Sequence, residues 1–180
     1  GGHLRTLLAS DIADSQLEIF ANNFGPDGVS KADLSGVSSV LGSAMTPIEA
    51  RLFRPLFGTN VDFLLAGPPC QGHSNLNNHT RRNDPKNELY YKVARAAELL
   101  QPRYVIIENV PGVVRDHRAA VHRTAEALTA LGYQVNQEVV DLSQLGIAQT
   151  RRRHVMLAVR DSGIDSSELK YDRLLRSELK

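Results

Sequence analysis

Cysteine is nearly missing from this chain: one among 180 residues, so no internal disulfide can form. Long apolar runs are missing too, and nothing has the length of a membrane span or the form of a signal peptide. Strong charge of either sign is absent. The formal net charge is +1, unlike that of a protein wrapped in nucleic acid. There is no internal repeat and no low-complexity linker. These absences point to a reducing, cytoplasmic setting with no membrane partner. What remains is ordinary for one globular domain, with 42% hydrophobic and 23% charged residues. The basic residues are nonetheless clustered, at Arg81-Arg82 and at Arg151-Arg152-Arg153. Each cluster suits phosphate contacts or a plain solvated face.

Along the chain, strand-like and helix-like segments alternate, which predicts an α/β fold with a largely parallel sheet and helices on both faces. Arg5–Ser10 reads as a strand leading to Asp11. Asp14 is a candidate cap for a helix that carries Leu17, Phe20 and Phe24 on one face and stops at Gly25. A Gly- and Ser-rich loop follows. Thr46-Pro47-Ile48-Glu49 has the form of a capping box, opening a short helix that runs to about Phe57. Val61–Ala66 is a short apolar strand. A helix with Leu89, Val93, Ala97 and Leu100 on one stripe ends before Pro102, and Tyr104–Val110 is a second apolar strand. A helix from about Arg118 to Leu131 closes at Gly132. Tyr133–Asp141 reads as an antiparallel strand near the sheet edge, and His154–Val159 as a further apolar strand. The polar stretch 161–180 reads as an extension without a legible role.

The single cysteine, Cys70, lies in Gly67-Pro68-Pro69-Cys70-Gln71-Gly72-His73-Ser74, directly after the Val61–Ala66 strand. A Pro-Pro turn there would hold a thiol at the strand's C-terminal edge, where open α/β sheets bind ligands. A lone thiol so placed is a candidate nucleophile, or else a buried structural cysteine. Two more segments accompany it: Glu108-Asn109-Val110 at the end of the second strand, and Gln149-Thr150-Arg151-Arg152-Arg153 before the last.

Taken together and in this order, the three segments resemble the cytosine-C5 DNA methyltransferase family, through its Pro-Cys-Gln, Glu-Asn-Val and Gln-x-Arg-x-Arg motifs. The resemblance runs from about Leu7 to Arg160 and implies a Rossmann-like S-adenosylmethionine-dependent methyltransferase fold over residues 1–160. It implies that Cys70 adds to C6 of a cytosine flipped out of double-stranded DNA, making C5 nucleophilic. Glu108 is then the acid that shares a proton with N3; its apolar strand end would favour the protonated form by desolvation. Taken alone, Glu108 would more readily face solvent or pair with an arginine. Arg151 and Arg153 alternate onto one side of an extended segment. The resemblance makes Arg153 the contact to the base and Arg151 a structural or phosphate support, with Arg152 as surface charge. Gln71, Ser74, Asn109 and Gln149 are the accompanying substrate contacts, and 74–87 would be a loop that closes over the base.

S-adenosylmethionine is the implied methyl donor. Asp11 would bind its ribose hydroxyls, Ile12 would pack on the adenine, and Asp33-Leu34 would read the adenine amino group. Pro68 and Leu89 would line the methionine side. Either aspartate also reads as a helix cap or turn residue. The family's Phe-x-Gly-x-Gly donor loop has no counterpart here. Gly1-Gly2 resembles the end of the helix after that loop, so the chain is expected to begin beyond it and to lack the target-recognition domain. His73 replaces an aromatic residue beside the nucleophile motif, and Met45–Phe57 has the look of an insertion. The family setting would be the bacterial or archaeal cytoplasm, with a restriction endonuclease of the same system as a candidate partner. Three alternatives are an RNA cytosine methyltransferase, a regulatory relative that binds DNA without catalysis, and a thiol hydrolase pairing Cys70 with His73 or His79. Gln149-Thr150 favours DNA over RNA, because the family's RNA-acting relatives carry Asn-Ser there. The hydrolase leaves two motifs unexplained.

Overall fold

The computed structural model describes residues 4–69, 88–115, 119–145 and 148–160. Two compact units divide the chain, Gly1–Thr59 and Asn60–Lys180.

The first unit is a small βαβ arrangement. Strand β1 (Ala9–Asp11) pairs in parallel with β2 (Val29–Lys31), with Ser10 opposite Ser30, and helix α1 (Asp14–Phe24) connects them. Parallel neighbours need such a crossover, since no tight turn can join them. β2 lies inside the stretch expected to be loop; three residues, Val-Ser-Lys, are too few to show a period. β1 is also shorter than Arg5–Ser10, because ladder pairing begins only at Ala9. Asp14 is not the cap of α1. Ala13 occupies that position without a side-chain bond, Asp14 stands in the first turn, where its charge suits the helix dipole, and it pairs with Lys31. Gly25 closes α1 in the left-handed conformation, at φ 51°. Of the expected apolar face, Leu17 is buried, whereas Phe24 is 66% exposed and meets the Phe20 ring at a tilt, with ring centroids 4.7 Å apart.

Helix α2 (Pro47–Phe53) starts with the expected reciprocal cap: Thr46 Oγ1 accepts from Glu49 N at 3.3 Å, and Glu49 Oε2 accepts from Thr46 N at 2.7 Å. Glu49 is fully buried and its Oε1 accepts a further bond from Ser38 N at 3.0 Å. A buried carboxylate is tolerable only when so many donors meet it. A single 3-10 turn, Arg54–Leu56, completes the segment.

The second unit holds a four-stranded sheet in the order β3-β4-β6-β5. Its strands are β3 (Phe63–Ala66), β4 (Tyr104–Asn109), β5 (Tyr133–Asp141) and β6 (Arg152–Arg160). β3 and β4 are parallel, joined through helix α3 (Glu88–Leu100); β6 runs antiparallel to both β4 and β5. The α/β class therefore holds, with a mixed sheet whose parallel share in this unit is the β3–β4 pair. β5 takes the expected antiparallel edge position. Helix α4 (Ala120–Ala130) packs on α3 and leads into β5, with Gly132 turning the chain at φ 87°.

Strand parity divides the sheet into two faces. Val105, Ile107, Met156 and Ala158 lie on one, all of them buried completely. α3 meets this face through Tyr90, and buries Val93, Ala94 and Ala97 as well. Leu157 and Val159 on the other face pack with Tyr104 and Ile106. Among the described residues no helix is long and apolar enough to cross a membrane.

Candidate active site

The C-terminal ends of β3 and β4 lie at one edge of the sheet because the two strands are parallel. β6 is antiparallel, so it is its beginning that reaches the same edge. The three sequence motifs therefore converge: Pro68-Pro69 after β3, Glu108-Asn109 at the end of β4, and Arg151–Arg153 at the start of β6. Cys70, Gln71 and Ser74, with the loop 74–87, His73, His79 and Arg81-Arg82, lie outside the described residues, as does 161–180.

Glu108 and Arg153 share a face, since Glu108 stands opposite Val155, two residues on from Arg153. Arg153 Nε reaches Glu108 Oε1 at 2.6 Å, and a second guanidinium nitrogen donates to the Arg152 carbonyl at 2.8 Å. The Glu108 side chain is 50% exposed and that of Arg153 20%. Among the described residues Glu108 is thus half-exposed and paired with a guanidinium.

Asn109 points to the opposite face and is buried. Its amide nitrogen donates to the Pro68 carbonyl at 3.1 Å, and its side-chain oxygen accepts from Val110 N at 2.8 Å. The Asn of the motif thus ties the end of β4 to the turn that carries the cysteine. These bonds make it a holder of the turn. Arg151 is exposed, with its carbonyl accepting from Leu142 N at 2.9 Å, and Gln149 is exposed in the bend before it. Arg152 stands opposite Asp141 in the ladder. The Asp141 carboxyl is held below the usual range, chiefly by the side-chain and backbone bonds from Ser143 and more weakly by Arg152.

On the buried face, one residue after Arg153, lies a group that the sequence reading passed over. His154 Nδ1 is 3.4 Å from the Tyr90 hydroxyl of α3, and His154 Nε2 is 3.0 Å from Gln137 Oε1 of β5. Both His154 and Tyr90 are 1% exposed. Burial pushes the His154 imidazole down to about 4 and the Tyr90 phenol well above its ordinary value. The ring is therefore neutral near pH 7, with Nε2–H donating to Gln137 and Nδ1 accepting from Tyr90. The available signal was a histidine at the head of an otherwise apolar run.

In the first unit, Asp11 ends β1 with Oδ1 accepting from Ala13 N at 2.8 Å, and the Ile12 side chain beside it is 62% exposed. Asp33 Oδ1 accepts from Ser35 N at 2.9 Å, capping a 3-10 turn that begins with the half-exposed Leu34. Both aspartates thus do serve as turn residues. A carboxylate beside an exposed apolar side chain at a strand end also fits a ribose diol and an adenine face, so these residues suit a nucleoside. Pro68 and Leu89, in the second unit, lie respectively after β3 and in the first turn of α3.

Known proteins agree with this convergence of motifs. The chain belongs to the C-5 cytosine-specific DNA methylase family, which it matches over residues 3–177. It is 39% identical over 155 residues to the type II methyltransferase M1.BsuMI of Bacillus subtilis, covering 86% of this chain and 36% of that protein. It is 37% identical over 102 residues to mouse DNA (cytosine-5)-methyltransferase 1, covering 55% of this chain and 6% of that protein. Its fold resembles that of Schizosaccharomyces pombe Dnmt2 methyltransferase, with a TM-score of 0.62 and 20% identity over 88% of this chain and 44% of that one. The chain thus spans less than half the length of each of these proteins.

Proposed function

We propose that this chain is a catalytic portion of a DNA cytosine-5 methyltransferase, with Cys70 as the nucleophile and S-adenosylmethionine as the methyl donor. The observation that carries the reading is the Arg153–Glu108 ion pair standing at the same sheet edge as the Asn109-held Pro68-Pro69 turn.

On this reading each side chain has a distinct task. The Cys70 thiolate forms a bond to C6 of the flipped cytosine, and the electron pair moves through the ring toward N3. Glu108 shares a proton with N3 as that density arrives, which makes C5 an enamine-like nucleophile. Arg153 keeps the Glu108 carboxyl oriented, and its remaining guanidinium donors suit the base's O2. Arg151 and Gln149, exposed on the approach to β6, suit the DNA backbone, as do Gln71 and Ser74. S-adenosylmethionine would supply an electrophilic methyl group when bound; in the first unit Asp11 and Asp33 would suit its ribose and adenine amino group, with Ile12 and Leu34 against the ring, and in the second unit Pro68 and Leu89 would suit its methionine part. Loss of the C5 proton to water and return of the N3 proton to Glu108 then release Cys70 as thiolate. The reading carries a cytoplasmic setting and, for a type II system, a restriction endonuclease as partner.

Covalent trapping tests it. Incubation with S-adenosylmethionine and 5-fluorocytosine-substituted DNA should give a denaturation-resistant adduct of the expected mass, absent in Cys70→Ser. An adduct persisting in Cys70→Ser, or forming only on fluorocytosine RNA, would refute the assignment.

A further inference from the structure

We propose that His154 is a positioning residue: with Tyr90 and Gln137 it pins the register of β6, and so sets Arg153 against Glu108. The role rests on the functional reading above only for its consequence in catalysis; the register claim stands on geometry alone.

Register in a sheet is normally set by alternation, because a slip turns the apolar set outward. β6 is apolar on both faces from Val155 to Val159, and every one of these residues is buried. Sliding the strand would exchange one apolar side chain for another, so the hydrophobic pattern discriminates weakly between registers. His154 does discriminate. It is a polar ring on the buried face with two partners, the buried Tyr90 hydroxyl at Nδ1 and Oε1 of the exposed Gln137 at Nε2, and a slip would part it from both, leaving Nδ1 unpaired in the interior. Leaving a buried polar group unpaired costs more than the bonds it makes add in net stability. A buried polar group of this kind selects one arrangement more than it strengthens it.

The partners also explain why the pin bears on the site. Tyr90 lies in the first turn of α3, the helix that follows the Cys70 segment. That turn is held from the other side as well, by Arg123 of α4, which bonds Glu88 at 3.3 Å and lies 4.5 Å over the Tyr91 ring. Across the ladder His154 faces Asn109, which holds the Pro68 turn. One register thus fixes Arg153, Asn109 and the start of α3 together.

The test uses the full chain with Tyr90→Phe and with the double variant Tyr90→Phe/His154→Leu, which removes the polar atoms and keeps an apolar fill. The primary readout is the Arg153 Nε–H resonance of the isotopically labelled protein, identified by its loss in Arg153→Lys. The ion pair with Glu108 should make it slow to exchange in the parent chain. The pin predicts a double variant with a near-parent melting temperature in which this signal is lost to exchange. Adduct formation should fall about ten- to a hundredfold, with little change in DNA or donor affinity. A double variant that keeps the slow Arg153 signal and the parent rate would overturn the proposal. If it fails to fold, Tyr90→Phe is judged by the same criteria. Loss of the signal in a protein whose parent forms no adduct would support the pin while refuting the proposed activity.

Discussion

The buried imidazole makes acid stability a direct probe of unit Asn60–Lys180. His154 titrates near 4 in the folded chain, against an ordinary value of 6.5, through burial alone. A histidine with a lowered folded pKa binds its proton more readily unfolded, so its contribution is constant above about pH 6.5 and is lost as the pH falls toward 4. From these two values, folding should weaken by about 2 kcal/mol between about pH 8 and about pH 5, and change no further below the folded value. The groups around the ring are Tyr90 from α3, Gln137 from β5 and, across the ladder, Asn109 from β4, none of which is charged near neutrality. Urea unfolding at the two pH values, followed by tyrosine fluorescence, isolates the effect. All five tyrosines fall in this unit and the chain has no tryptophan. The control is His154→Gln, which keeps a donor and an acceptor but cannot titrate. The parent should lose about 2 kcal/mol more than the variant over that interval. An identical pH dependence in both would refute the buried, neutral assignment of His154.

Other perturbations separate the remaining parts. Glu108→Gln, unable to supply the shared proton, should slow adduct formation by about a hundredfold or more, read as the trapping rate; a near-parent rate would remove Glu108 from the mechanism. Asn109→Ala should strand the Pro68 carbonyl and loosen the cysteine turn, lowering the trapping rate more than it lowers DNA affinity. Thr46→Ala breaks one arm of the capping box and should cost about 1 kcal/mol, measured by hydrogen exchange in α2. Glu49→Ala should cost more, because Thr46 N and Ser38 N lose their acceptor together.

How much of this was legible depended on whether a feature is local. The capping box at Thr46–Glu49 was, since both partners lie within one turn of chain. So were the end of α1 at Gly25, the end of α3 before Pro102, and β5 from Tyr133 to Asp141, where propensity and punctuation agree. β2 was not legible, because what makes Val29–Lys31 a strand is the neighbouring β1. Nor was the environment of Glu108. An apolar run before a carboxylate suggests burial, but strand parity sends Glu108 to the face opposite buried Ile107 and Asn109, and there, near the strand's end, it meets Arg153 at the rim.

The start of β6 shows why motif reading finds one half of a site and passes over the other. Arg153 and His154 are adjacent in sequence, and a strand sends adjacent side chains to opposite faces. Arg153 comes out on the face where Glu108 waits, within a pattern that chemistry makes recognisable: a guanidinium spaced to meet a carboxylate and a base. His154 goes to the other face, into contacts with residues 64 positions earlier and 17 positions earlier, which no spacing rule connects. The two depend on each other nonetheless. A guanidinium held at 2.6 Å from its carboxylate requires β6 to start at one place along β4, and that place is marked on the hidden face. Substitution at Tyr90 or Gln137 should therefore reach the Arg153–Glu108 pair without touching it, whereas an equal change at the exposed Arg152 should not.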